Sequence, residues 1–322
     1  MPLLFDMPLD ELKTYAGINP CPSDFDDFWD QSTREMQALD PQVELIPADF
    51  QASFAKCFDL YFTGVGGARI HAKLLKPVNA DNPHPAILQF HGYSGHAGNW
   101  VDKLPYVAAG YTVAALDCRG QGGFSEDPGD TFGSTFQGHI VRGVGGPPEK
   151  MLFRNIFLDT AQLAKIIMDM PDVDSSRVAV NGGSQGGGLS LACAALEPGI
   201  KLVAPIFPFL SDYQRVWEMD LAVDAYAGLT QYFRWYDPTH EREEAVFTQM
   251  GYIDVQHLCP RIRGEVLMAV GLMDKICPPS TQFAAYNKIN APKSMTIYPD
   301  FGHEPLLVRH HADRIFQFMD KL

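Results

Sequence analysis

Val178-Ala179-Val180-Asn181-Gly182-Gly183-Ser184-Gln185-Gly186-Gly187-Gly188-Leu189 is the stretch that decides the fold. Its first four residues form a short apolar run that suits a buried strand. Leu189–Leu196 is compatible with a helix. Between them, Gly182-Gly183-Ser184-Gln185-Gly186 matches G-x-S-x-G. A strand that turns sharply into a helix at a serine presents the hydroxyl at the apex of the turn. Only small neighbours fit so tight a corner, and Gly182, Gly186, Gly187 and Gly188 supply them. Read alone, the motif is a glycine-rich turn with an incidental serine. Its context, and the partners found downstream, favour a nucleophile.

Working outward, short apolar runs recur at Ala86–Phe90, Thr112–Leu116, Leu202–Ile206, Val266–Val270 and Met295–Tyr298. Runs of this kind suit a parallel sheet covered on both faces. A helix is expected over Met151–Met170, with Leu152, Ile156, Leu163, Ile166, Ile167 and Met170 on one face. Strands alternating with helices imply right-handed crossovers, with helices on both faces of the sheet. Upstream, 55–76 reads as an antiparallel hairpin turning at Gly66-Gly67. The chain is expected to form a single α/β domain over 1–322. It carries a helical extension over 1–40 and a helical, cap-like insertion over 207–263. Residues 122–150 are long and rich in Gly and Pro, which suggests a functional loop.

A serine hydroxyl needs an adjacent base. The base is expected on the loop after the last strand, where Pro299-Asp300-Phe301-Gly302-His303-Glu304 follows Met295–Tyr298. His310 and His311 fall in the expected C-terminal helix Leu306–Leu322, and His240 and His257 in the insertion. The acid is expected after the preceding strand, at Asp274 in Gly271-Leu272-Met273-Asp274. The order Ser184, Asp274, His303 is that of α/β-hydrolases. Asp300 is a rival acid by proximity in sequence. For the oxyanion, two backbone donors are needed. The candidates are the N–H groups of Gln185 and of Tyr93, the latter in His91-Gly92-Tyr93 directly after Ala86–Phe90. Tyr93, Phe209 and Ile276 are candidate walls of a small acyl pocket. The alternative for the last two is an ordinary core residue.

Arg119-Gly120-Gln121-Gly122 follows the Thr112–Asp117 run. By default this is a basic surface turn, but Arg119 could brace the loops around the site. A structural role near the site is expected for Arg119, Gln121, Gly182 and Gly186.

Composition narrows the partners. The net charge is −14, from 25 Lys and Arg against 39 Asp and Glu. That disfavours nucleic acid and anionic membrane surfaces. No stretch approaches the roughly 20 apolar residues of a spanning helix. The opening MPLLFDMPLDELKTY lacks the pattern of a signal peptide. The six cysteines include no C-x-x-C pair, so neither zinc nor redox chemistry is suggested. Cys118 and Cys193 read as buried small hydrophobes. A cytoplasmic protein with reduced thiols, no metal and no cofactor is expected.

Arg119-Gly120-Gln121, Gly182-Gly183-Ser184-Gln185-Gly186 and His303-Glu304 together resemble the signature of carbohydrate esterase family 7. That family holds the cephalosporin C deacetylases and acetyl xylan esterases. The resemblance extends to Asp24-Phe25-Asp26-Asp27-Phe28-Trp29, to Tyr232–Pro238 and to Gly271–Pro279. It implies an α/β-hydrolase fold and metal-independent cleavage of acetyl esters on sugar oligomers and on cephalosporin C. It also implies a cytoplasmic homohexamer. Other readings are a lipase, a dienelactone hydrolase, an oligopeptidase, or a hydrolase fold used only for binding. Dienelactone hydrolases usually carry cysteine where this elbow has Ser184, and a lipase needs a longer apolar acyl groove.

Overall fold

The computed structural model describes residues 5–80, 83–129, 139–304 and 308–322. Its centre is a nine-stranded sheet ordered β1-β2-β3-β5-β4-β6-β7-β8-β9. The strands are β1 (Glu44–Pro47), β2 (Ala55–Thr63), β3 (Arg69–Pro77), β4 (His84–Phe90), β5 (Thr112–Leu116), β6 (Val173–Gly183), β7 (Leu202–Ile206), β8 (Glu265–Gly271) and β9 (Lys293–Tyr298). β1, β2 and β3 pair antiparallel, and β3 pairs antiparallel with β5. From β5 to β9 every pairing is parallel. The fold is that of an α/β-hydrolase.

The expected hairpin is present as β2 and β3, with Gly66 at φ +72° in its turn. β1 lay outside the sequence expectations. All four of its residues are exposed, so it has neither alternation nor an apolar run to mark it.

Alternation along the central strands sorts side chains onto two faces. Leu88 of β4 and Val180 of β6 belong to the larger core, with the helices Phe25–Ala38, Leu152–Met168 and Gln185–Leu196. Ile87 and Ala179 face the other way, toward Ile315, Phe318 and Met319 of the C-terminal helix. That helix spans His311–Met319. Expected helical residues Leu306 and Leu307 lie outside the described residues. His310 precedes the helix at φ +68°, contrary to expectation.

Helix Leu152–Met168 is also buried on more than the single expected face. Arg154, Asp159 and Gln162 on its polar side are buried too. The N-terminal helix covers Arg154, which donates to Ser32 Oγ, and stacks Trp29 on Phe157 at 5.8 Å, whereas Asp159 meets Arg119 and Gln162 donates to Thr63 O. The 207–263 segment carries the helices Tyr213–Glu218, Ala227–Tyr236, Glu243–Met250 and Val255–Leu258.

The strand order reverses at β4. The chain leaves β4 for β5 on one side, then crosses to β6 on the other. Such a switch point opens a crevice beyond the carboxyl ends of the parallel strands. The loops after β4, β6, β8 and β9 all emerge there.

Candidate active site

Ser184 stands between β6 and the helix Gln185–Leu196, with φ +57° and ψ −119°. A non-glycine residue in that region is strained and must be held by its surroundings. Its N–H donates to Ile206 O at 2.9 Å, and its carbonyl accepts from Phe209 N at 3.0 Å and Gly188 N at 3.1 Å. The glycines beside it are required by close backbone approach. A Cβ on Gly186 would lie 2.0 Å from Phe90 O, and one on Gly182 would lie 2.5 Å from the backbone of Gly186.

Asp274 follows β8 and His303 follows β9, and the two strands are in register up to the pair Gly271 and Tyr298. The two loops therefore leave the sheet side by side. His303 Nδ1 lies 2.7 Å from Asp274 Oδ2. Asp274 is fully buried, whereas the His303 side chain is 24% exposed. Asp274 Oδ1 accepts from Ile276 N at 2.9 Å and Cys277 N at 2.8 Å. Gln282 Nε2 donates to Oδ2 at 3.2 Å. These donors hold the buried carboxyl in place. Asp300 is exposed in the turn before His303. The His303 ring packs on Phe207, with centroids 4.3 Å apart. Phe207 has φ +35°, Leu210 +72° and Asp212 +53°, so strain clusters where the insertion leaves the sheet.

Cys277 and Gln282 were given no role at the site from the sequence. Cys277 is fully buried, and its thiol lies beside the Ser184 side chain. Burial and the Asp274 charge push the thiol pKa well up, so it stays protonated. Its spacing of three from Asp274 was the available signal, because a carboxylate gathers the amides of the turn that follows it.

The two candidate oxyanion donors belong to neighbouring loops. Gln185 opens the helix after Ser184. Tyr93 lies on the loop after β4, its ring against His139 at 4.9 Å and Phe209 at 5.7 Å. Phe209 itself is fully buried and also meets Tyr226 at 4.5 Å, so it backs Tyr93. Ile276 is partly exposed.

Arg119 is not a surface group. It is 1% exposed, and Nε and Nη2 donate to the two oxygens of Asp159 at 2.7 and 2.6 Å. Nη1 donates to Val65 O at 3.1 Å. It thus ties the loop after β5 to a helix and to the β2–β3 turn. Gln121 and Gln185 form a reciprocal amide pair, at 2.9 and 3.0 Å. Part of the 122–150 loop, 130–138, lies outside the described residues. Among the described residues there is no cluster of metal-ligating side chains and no helix long and apolar enough to cross a membrane. Cys118 and Cys193 are buried, as expected.

Comparison with known proteins agrees with this architecture. Two solved structures superpose over 98% of the chain and 99% of their own length. Acetyl xylan esterase 1 from Thermoanaerobacterium sp. JW/SL YS485 is 59% identical, with a TM-score of 0.96. Acetyl xylan esterase from Paenibacillus sp. R4 is 34% identical, with a TM-score of 0.92. Acetyl esterase Axe7A of Xylanibacter ruminicola is 27% identical over 88% of this chain, which spans 63% of that longer protein. The profile of the acetyl xylan esterase family (AXE1) matches residues 1–322. The chain therefore belongs to the acetyl xylan esterase family of carboxylic ester hydrolases.

Proposed function

We propose that this chain removes acetyl groups from short acetylated sugars, xylo-oligosaccharides and cephalosporin C through an acyl-enzyme on Ser184. The observation that carries the reading is the strained Ser184 at the same sheet edge as a buried Asp274 bonded to His303 Nδ1 at 2.7 Å. With Nδ1–H donating to Asp274, Nε2 is left as the proton acceptor. Ser184 Oγ attacks the acetyl carbonyl while His303 Nε2 takes its proton. The N–H groups of Tyr93 and Gln185 receive the oxyanion. The tetrahedral adduct collapses, and His303 returns the proton to the departing sugar oxygen. Water then attacks the acetyl-Ser184 ester by the same steps in reverse roles, releasing acetate. Asp274 remains ionised and stabilises the imidazolium.

No metal or cofactor enters this scheme. The six unpaired cysteines support a reducing, cytoplasmic setting. The family membership supports a homohexamer, and sedimentation near six times 35.7 kDa is the expected result. A monomer at micromolar concentration would contradict it.

The test of the chemistry is acetate release from 4-nitrophenyl acetate and acetylated xylo-oligosaccharides by Ser184→Ala, His303→Ala and the double variant. Each single variant should lose nearly all turnover, with the double little worse, because the groups act as a unit. Wild-type-like turnover in folded Ser184→Ala would reject the mechanism.

A further inference from the structure

We propose that His91 is a positioning residue for the oxyanion site, acting as a neutral Nδ1–H tautomer that aims the Gly92–Tyr93 peptide. The inference rests on the functional reading above and assigns the device that holds its loop donor.

His91 is the first residue after β4 and is only partly exposed. Its two ring nitrogens have different partners. Cys118 N–H donates to Nε2 at 3.0 Å. A nitrogen that accepts a hydrogen bond carries no proton, so in the neutral ring the single proton sits on Nδ1. Nδ1 lies 2.7 Å from Gly92 O and donates to it. Gly95 N–H donates to the same oxygen at 3.0 Å. Gly92 O and Tyr93 N–H belong to one planar trans peptide and point in opposite directions. Fixing the carbonyl with two donors therefore fixes the N–H on the other side. That N–H is the proposed loop donor to the oxyanion.

The neutral form is favoured by the surroundings. Burial lowers the His91 pKa, while the Gly92 carbonyl and Asp117 oppose that fall. A proton on Nε2 would face Cys118 N–H and break that bond. The rest of the loop is anchored independently. Asp117 Oδ1 accepts from Ala97 N at 2.6 Å, and Gly122 N donates to Gly95 O at 2.9 Å. His91 thus bonds directly to the Gly92–Tyr93 peptide.

Two substitutions separate the two nitrogens. Asn places an amide donor where Nδ1 stood and has nothing at Nε2. Gln reaches the Nε2 position, where it accepts from Cys118 N–H, and leaves Gly92 O without its ring donor. His91→Asn should keep kcat within about threefold of wild type. His91→Gln should lose about 10- to 100-fold in kcat, part of the roughly 10²–10³ that removal of an oxyanion donor costs. KM for 4-nitrophenyl acetate should stay near wild type in both. Inhibition by phenylboronic acid, whose serine adduct is tetrahedral, should weaken in His91→Gln by a factor similar to its kcat loss.

Thermal unfolding of both variants identifies a general loss of structure. Equal kcat in the two variants, or kcat losses that follow their melting temperatures, would overturn the assignment. If Ser184→Ala is inactive while both His91 variants match wild type, only this inference fails. If folded Ser184→Ala remains active, the underlying mechanism fails as well.

Discussion

Asp117 and His71 meet at 2.6 Å beneath the loop that carries Tyr93, through Oδ2 and Nδ1. His71 is fully buried, and its Nε2 faces Asp59 at 2.9 Å on the other side. Asp117 also accepts from Phe124 N at 3.0 Å and Ala97 N at 2.6 Å. One carboxylate thereby joins β3, the loop after β4 and the loop after β5.

Burial pushes the Asp117 carboxyl up, but the bonds from His71, Phe124 and Ala97 outweigh it and hold the pKa at about 2, below the usual 3.8. A depressed acid stabilises the fold above its unfolded pKa, and that contribution disappears as pH falls through the folded value. The relevant window is therefore pH 4 to 2. Urea midpoints of wild type and Asp117→Asn should differ by roughly 2 kcal/mol of stability at pH 7 and converge toward pH 2. A difference that does not change between pH 5 and 2 would contradict this.

Asp254 is the opposite case. Burial, and then the neighbouring Asp212 charge, push its pKa up to about 8. The folded protein keeps a proton that the unfolded chain releases near 3.8. Stability from this group is complete below that value and is lost as pH rises toward 8. Asp254→Asn cannot ionise, so its urea midpoint should fall less than that of wild type between pH 5 and 9. Parallel curves would show that Asp254 is charged throughout.

If Asp274 is the acid as proposed, Asp274→Asn should lower kcat by on the order of 10³–10⁴, as loss of the orienting carboxylate does elsewhere. Asp300→Asn, altering an exposed side chain, should leave kcat near wild type. The reverse ranking in 4-nitrophenyl acetate assays would move the acid to Asp300.

On acyl length, wild type should prefer acetyl over butyryl and longer 4-nitrophenyl esters. Apolar pockets discriminate by roughly 1–3 kcal/mol per methylene, and a rigid wall adds to that. Ile276→Ala should raise kcat/KM for butyryl esters relative to acetyl. Phe209→Ala should instead lower stability by about 3–5 kcal/mol, since that ring is fully buried behind Tyr93. A wild-type optimum at C6 or C8 would reject the small acyl site.

What could be read from the sequence had local signatures. The parallel strands announced themselves as apolar runs, and Ser184, Asp274 and His303 by their place after such runs. β1 left no trace because Glu44, Leu45, Ile46 and Pro47 are all exposed and are held by backbone pairing with β2, with an exposed Glu44–Arg69 ion pair beside it. The partner of Arg119 was not legible, because Asp159 lies 40 residues away on a separate helix. Cys277 and Gln282 were given no role for the same reason, and the bonds of His91 to Cys118 N and Gly92 O were not legible although its loop was. Each makes contacts that exist only after the loops are brought together, and for Cys277 the spacing of three from Asp274 was the single local signal.

The ties of the N-terminal segment bear on the order in which the molecule is built. Asp6 takes Arg215 at 2.8 Å and Ser280 N at 2.7 Å, the latter 274 positions along the chain. Tyr15 and Asn19 bond to Asp212, and Leu12 and Tyr15 carbonyls accept from Asn287. Ribosomal synthesis delivers residues 6–19 long before any of these partners exist. At about 5–20 residues per second, that segment waits on the order of ten seconds or more for Ser280 and Asn287. During that interval Leu12, which ends up buried, lacks its final neighbours. The full set of ties on this segment is therefore completed only after residues 280–287 have been made. A chain stalled before residue 280 would lack the partner for Asp6 on the helix that follows the Asp274 loop.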